Sequence, residues 1–329
     1  MDKNMNTPPK KAQTKKARQK APKNREIVLQ PTVLVLATYV LLLISKLIDF
    51  AVINRDNEYF GVVILQMMIF LLPAALWCSF SGEKYTRGLR LELPKPNTIV
   101  FMISASLVLI SGSLLISTLF GGLDSLSHNF SLYDTFISKD NGTIPAKIYL
   151  VLAYAALPAV CEEFVYRGII CYEYERGGVM RAIVFSSLFF ALLHFNIVNI
   201  PVYLFAGVIL ALTLYGTRSL IGAMIVHFLY NIFAIFGQRY MSALYDITGS
   251  TSFFVFLIAL VFFVSAILFC AQGAKLYRLY LYRGYVSSYR RPVITEKAQL
   301  KESYLGVIRT PSAIACAVVY IIALVISYL

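Results

Sequence analysis

The sequence predicts an all-α, polytopic membrane protein of about eight to nine transmembrane helices. Three observations predict it. Apolar side chains make up 58% of the 329 residues, with a mean hydropathy of +0.70, whereas a soluble domain is about 45–50% apolar. Runs of about twenty apolar residues, the length a helix needs to span hydrocarbon, recur along the chain. The charge is segregated as well. Residues 1–26 carry nine Lys/Arg against Asp2 and Glu26, and residues 275–309 carry eight against Glu296 and Glu302. These two segments, at +7 and +6, hold the whole net charge of +13.

Taken in order, residues 1–26 are rich in Lys, Pro and Gln with almost no large apolar side chain, and are expected to be a disordered basic tail. No small-residue cleavage site follows the first apolar run, so an uncleaved anchor is expected. Spans are predicted near 31–53, 59–80, 98–120, 147–171, 180–198, 200–216, 220–237, 253–273 and 312–329. With the N-terminus cytoplasmic, the inner segments hold Lys84, Arg87, Arg90, Lys95, Arg176, Arg181, Arg218 and the basic loop 275–309. The outer loops hold only Arg55, Lys139 and Arg239, with Lys147 at the edge of a span. That bias sets the orientation. The sequons at Asn129 and Asn141 fall on the outer side.

The segment 274–310 interleaves Tyr277, Tyr280, Tyr282, Tyr285 and Tyr289 with Arg278, Arg283, Arg290 and Arg291. Aromatic and basic side chains beside a span suit the headgroup layer. Anionic lipid is therefore the expected partner of the basic segments, and no nucleic-acid module accompanies them. The five cysteines, 78, 161, 171, 270 and 316, show neither disulfide nor zinc-ribbon spacing.

The chemistry concentrates in Cys161-Glu162-Glu163-Phe164-Val165-Tyr166-Arg167, inside the fourth run. Each charge at mid-bilayer costs about 2.5–3.5 kcal/mol, so such side chains face a protein interior or a wet cavity and mark function. Glu163 and Arg167 are four apart, which puts them on one helical face in the favourable order for a pair. Glu162 lies about 100° round the helix. One acid can thus be neutralised by Arg167 while the other faces a cavity. Pro158, one turn upstream, predicts a kink just before the acids. By itself the stretch would also serve as a structural ion pair between helices.

Of the three histidines, His128 falls in the outer loop, and His194 and His227 fall in the fifth and seventh spans. Phe190 and His194 share a helical face, as do His227 and Asn231. At 1.5 Å per residue, Glu162 lies about 15 Å, His194 about 21 Å, and His227 and Asn231 about 10–16 Å from the cytoplasmic end of their spans, so all four can meet near mid-membrane. Either histidine alone could be a helix-bridging hydrogen bonder. Together with the acids and the asparagine they supply a general base, a polarising group and oxyanion donors, the parts that hydrolysis of an amide by water requires.

Glu162-Glu163-x-x-x-Arg167, Phe190-x-x-x-His194 and His227-x-x-x-Asn231, in that order on three spans, resemble the CPBP family: the CAAX prenyl proteases and the bacterial bacteriocin-processing or immunity enzymes, also called the Abi family. The resemblance covers about residues 147–236. It implies a catalytic core over 147–240 built as a conical helical bundle. Membrane helices would precede it over 27–146, and further ones with the basic loop would follow over 241–329. It implies an intramembrane endopeptidase of a bacterial plasma membrane that acts on a peptide or membrane protein, prenylated or not, in bacteriocin processing, self-immunity or another pathway. By the same resemblance Glu162 activates water, His194 holds and polarises it, His227 and Asn231 stabilise the oxyanion, and Glu163 and Arg167 form a supporting pair.

Metal dependence stays open at this stage. No HExxH motif is present, but Glu162, His194 and His227 could ligate Zn2+ with an open fourth position. Asn231 suits an oxyanion donor better than a ligand, which favours metal-independent chemistry. A proton-coupled transporter is the alternative from another class, since buried Glu/His chains also relay protons. The acid stretch has no second copy of the kind inverted-repeat carriers show. A non-catalytic peptide-binding immunity protein is the third reading.

Overall fold

The computed structural model describes residues 30–51, 59–82, 85–121, 144–282 and 297–328. The basic tail 1–26, His128, the two sequons and residues 283–296 of the basic loop lie outside the described residues. Every described element is helical: α1 (Pro31–Ala51), α2 (59–81), α3 (Ile99–Gly121), α4 (144–174), α5 (Val179–Leu193), α6 (Ile200–Thr217), α7 (Leu220–Gly237), α8 (Gln238–Thr248), α9 (Thr251–Tyr282), α10 (Lys297–Ile308) and α11 (Pro311–Tyr328). The chain is an all-α polytopic integral membrane protein. Seven of the described helices are long and apolar enough to cross a membrane, or up to eight if α10 and α11, bent by 57°, form one broken span.

Two expectations shift. The stretch 180–198, expected as a span, is a helix of 15 residues, about 22 Å long and short of the hydrocarbon thickness. It stops because Phe195 turns left-handed at φ 46° and because Asn196 caps the next turn, its Oδ1 accepting from Asn199 N at 3.1 Å. The segment expected as loop from 274 begins inside α9, which continues to Tyr282. Tyr280 holds it there by donating to Gly216 O at 3.0 Å, with the Arg218 guanidinium 4.1 Å from its ring.

Proline placement explains the two long irregular helices. Pro158 lacks an N–H, and its ring crowds the carbonyl of Tyr154. Tyr154 lies in a widened i→i+5 turn, Val151–Ala156. Pro73 of α2 likewise follows the widened turn Met67–Leu71. At both prolines the chain widens and stays helical. A second widened turn, Phe164–Ile170, follows the acids directly. Such turns recur at functional sites.

The core around the site is assembled from α3 to α7. Helix α3 packs along α9 and α6, α5 along α6, and α7 against α4, while α1 pairs with α11. The α6–α7 turn is pinned from three sides. Arg218 caps α6 with φ 56°, Ser219 caps α7 by accepting from Gly222 N at 3.0 Å, and Leu220 N donates to Arg90 O at 2.9 Å. That fixes the start of the helix carrying His227. The α5–α6 crossing is closer than any side chain permits. A Cβ on Gly207 would stand 2.8 Å from both Cα and Cβ of Ser187. Without a hydrophobic drive between helices in lipid, such small-residue contacts hold the bundle together.

Gly207→Ala is therefore expected to lower stability by about 1–3 kcal/mol by forcing two backbones apart. Thermal unfolding of the detergent-solubilised protein measures it. Wild-type stability in the variant would show that the crossing yields freely.

Candidate active site

The site is organised by a buried carboxylate. Glu163 and Arg167 on α4 are 0% and 1% exposed, and Arg167 Nη1 donates to Glu163 Oε1 at 2.8 Å. The same oxygen accepts from His227 Nδ1 on α7 at 2.9 Å. Arg167 has further support: its Nη2 donates to Gly207 O on α6 at 3.1 Å, and its guanidinium lies 4.3 Å from the Phe190 ring of α5. Four helices thus converge on one ion pair. Moving two charges out of water carries a penalty that pairing offsets only when additional hydrogen bonds accompany it; the Gly207 carbonyl and His227 supply such bonds, and the Phe190 ring adds a cation–π contact.

Phe190 is the shared aromatic wall. Its ring meets His194 edge-on at 5.1 Å, His227 at 5.8 Å and Tyr166 at 5.8 Å. His194 caps the C-terminal end of α5. Its Nδ1 lies 3.0 Å from Phe190 O, and its ring stacks on Tyr203 of α6 with centroids 3.8 Å apart and planes 12° from parallel. A carbonyl only accepts, so Nδ1 of His194 carries the hydrogen; Nδ1 of His227 likewise donates to a carboxylate. In both rings the orientation is set by the bond Nδ1 makes, which leaves Nε2 for chemistry.

His194, His227 and Asn231 all line one cavity of about 240 Å³, with Tyr203, Tyr154 and Tyr230 among its polar walls and Leu114, Val202 and Ile235 among its apolar ones. Asn231 is turned by α4: its Nδ2 donates to Ala155 O, in the first widened turn, at 3.3 Å. One amide hydrogen remains for another acceptor.

Glu162 differs from its neighbour. It is half-buried and makes no hydrogen bond or ion pair among the described residues. Its carboxyl is within electrostatic reach of His227, Glu163, Arg167 and Tyr203. All six residues singled out in the sequence therefore gather here, with Glu163 joined directly to His227. Sequence reasoning did not find Tyr203 or Ala155, since stacking between segments and a carbonyl acceptor leave no motif. Among the described residues no three His, Cys, Asp or Glu side chains converge as a metal-binding group. Glu162, His194 and His227 are not brought together as such a group in this structure. All five cysteines are free, and Cys161, Cys171 and Cys316 are buried.

The sequence profile described as type II CAAX prenyl endopeptidase, Rce1-like, matches residues 144–233. That range holds α4, α5, α6 and nearly all of α7, and with them every residue of the cluster. A curated relative, the membrane-embedded CAAX protease MroQ of Staphylococcus aureus (strain USA300), is 27% identical over 225 residues, which is 64% of this chain and 88% of the relative. No solved structure matches the chain.

Removing one partner of the buried pair leaves an uncompensated charge. Arg167→Met is expected to destabilise the fold by about 3–5 kcal/mol. The double variant Glu163→Gln with Arg167→Met should recover a large part of that loss. Thermal unfolding of the three proteins in one detergent checks it; equal losses in the single and double variants would refute the pairing argument.

Proposed function

We propose that the chain, similar over residues 144–233 to type II CAAX prenyl endopeptidases and over 225 residues to a membrane-embedded CAAX protease, is a glutamate-dependent intramembrane endopeptidase. The observation that carries this reading is Glu162, a half-buried carboxylate without a hydrogen-bond partner among the described residues, next in sequence to the Glu163 that holds His227, one of two oriented histidines that line a single cavity. Such a group is available to take a proton.

In this reading a water molecule is held between Glu162 and Nε2 of His194. Glu162 removes one hydrogen as the water oxygen forms a bond to the substrate carbonyl carbon. The electron pair of the C=O bond moves to oxygen. Nε2 of His227, oriented by the Nδ1 bond to Glu163, and the remaining amide hydrogen of Asn231 donate to that oxyanion. Glu162 then returns the proton to the leaving amine as the C–N bond breaks, which restores the carboxylate. Donors aimed at developing charge in a water-poor site are usually the largest contribution to rate, and the proton transfer adds about 10²–10⁴-fold. Glu163 and Arg167 orient His227 and keep the pair neutral.

The substrate in this reading is a membrane-borne peptide or membrane protein. The apolar walls beside the histidines favour an apolar side chain next to the scissile bond. The basic segments 1–26 and 275–309 support a cytoplasmic N-terminus and contact with anionic lipid.

Comparing peptide termini by mass spectrometry in membranes of cells carrying wild type or Glu162→Gln tests the reading. Termini present with wild type should vanish with Glu162→Gln and with His194→Ala, while both variants insert normally, and lipid-permeant chelators should leave cleavage unchanged. Cleavage that survives in both variants would remove these roles, and inhibition by chelators that added zinc reverses would move the chemistry to a metal.

A further inference from the structure

We propose that Tyr203 is a positioning residue that fixes the ring orientation of His194. The proposal deepens the reading above, because it assumes that His194 holds the water. His194 lies at the very end of α5, where no following helical turn restrains its side chain, and the backbone turns left-handed at the next residue. Rotation about the final side-chain bond of a histidine is broad and roughly two-fold. Rotation out of its present plane would carry Nε2 away from the place where it holds the water. The hydrogen bond from Nδ1 to Phe190 O opposes that rotation, but it is one bond.

Tyr203 supplies a second restraint. Its ring covers one face of the imidazole at 3.8 Å and 12°, while Phe190 closes an edge at 5.1 Å. The tyrosine is itself held. It sits in the first turn of α6, with Tyr203 N donating to Asn199 O at 3.0 Å, and Asn199 is tied back to Asn196. The break between α5 and α6 thus returns the chain so that the first turn of one helix covers the last residue of the other. Tyr203 also lines the cavity with His194, so the restrained ring is the one a water would meet. The restraint comes from the face of the aromatic ring, and the hydroxyl is not required for it.

The chain's three histidines make this testable without a substrate. Full-length protein labelled with ¹⁵N-histidine in nanodiscs contains the imidazoles of His128, His194 and His227 alone, and His194 is assigned as the signal lost in His194→Asn. In wild type the Nδ1–H tautomer is expected at His194. Tyr203→Leu should shift that signal and mix the tautomers while leaving His227 unmoved, which reports an intact fold; Tyr203→Met replaces it if the leucine variant does not fold. Tyr203→Phe should match wild type.

On the peptide found by terminus mapping, Tyr203→Leu should lower kcat by about ten- to a hundredfold, the scale on which misplacement of reacting groups acts, with KM unchanged. An unmoved His194 signal in Tyr203→Leu would overturn the proposal. So would a Tyr203→Phe variant as damaged as Tyr203→Leu, or a rise in KM at constant kcat. If Glu162→Gln still cleaves, the peptidase reading falls while the spectroscopic result stands by itself.

Discussion

The structure depends on one carboxylate oxygen. Glu163 Oε1 receives Arg167 from its own helix and His227 from α7, and Arg167 then reaches the α6 backbone and the α5 aromatic wall. In lipid, where apolar burial does not drive helices together, a shared polar centre and close small-residue contacts determine which helices meet. The contact of Arg167 with Gly207 O requires the near approach of α6 to α5 that only a glycine at 207 permits. Charge, hydrogen bonding and helix packing are therefore one constraint here.

The adjacent acids divide the work through their environments. Glu163 is sealed and neutralised, and Glu162, about a quarter-turn away, is left without a partner among the described residues. Two carboxylates with different surroundings are how one fold assigns different roles to one side-chain type. The proline upstream contributes as well. It widens the preceding turn, and from that turn Ala155 O takes one amide hydrogen of Asn231. A backbone irregularity that the sequence signals as a kink instead orients a side chain on another helix.

Much of this was legible in the sequence. The apolar runs and the segregated charge gave the fold class, because crossing a bilayer imposes length and composition directly. The four-residue spacings of Glu163 with Arg167 and of His227 with Asn231 put each pair on one face of an unbroken helix. His194 was harder to place, because the break that ends α5 rests on a left-handed phenylalanine, where glycine would have been the visible signal. The direct contact of Glu163 with His227, the stacking of Tyr203 and the Ala155 acceptor were illegible for a common reason. Each is made between different helices, so no spacing within a single segment signals it.

That left-handed phenylalanine also ties the site to parts of the chain beyond residues 144–233. A non-glycine residue in this conformation costs about 1–3 kcal/mol and persists only where its surroundings over-determine it. Phe195 is buried, with Tyr39 of α1 edge-on at 5.6 Å, Lys46 of α1 over its ring at 5.4 Å and Tyr320 of α11 at 6.0 Å. Tyr39 also donates to Phe189 O at 2.6 Å, one residue before the phenylalanine that walls the site. Helices α1 and α11 are themselves joined by hydroxyl contacts of Thr32 with Thr310 and Ser312. The break that presents His194 to the cavity is thus held from outside the matched region. A fragment limited to α4 through α7 would keep every residue of the cluster and lose the packing that holds His194 in place.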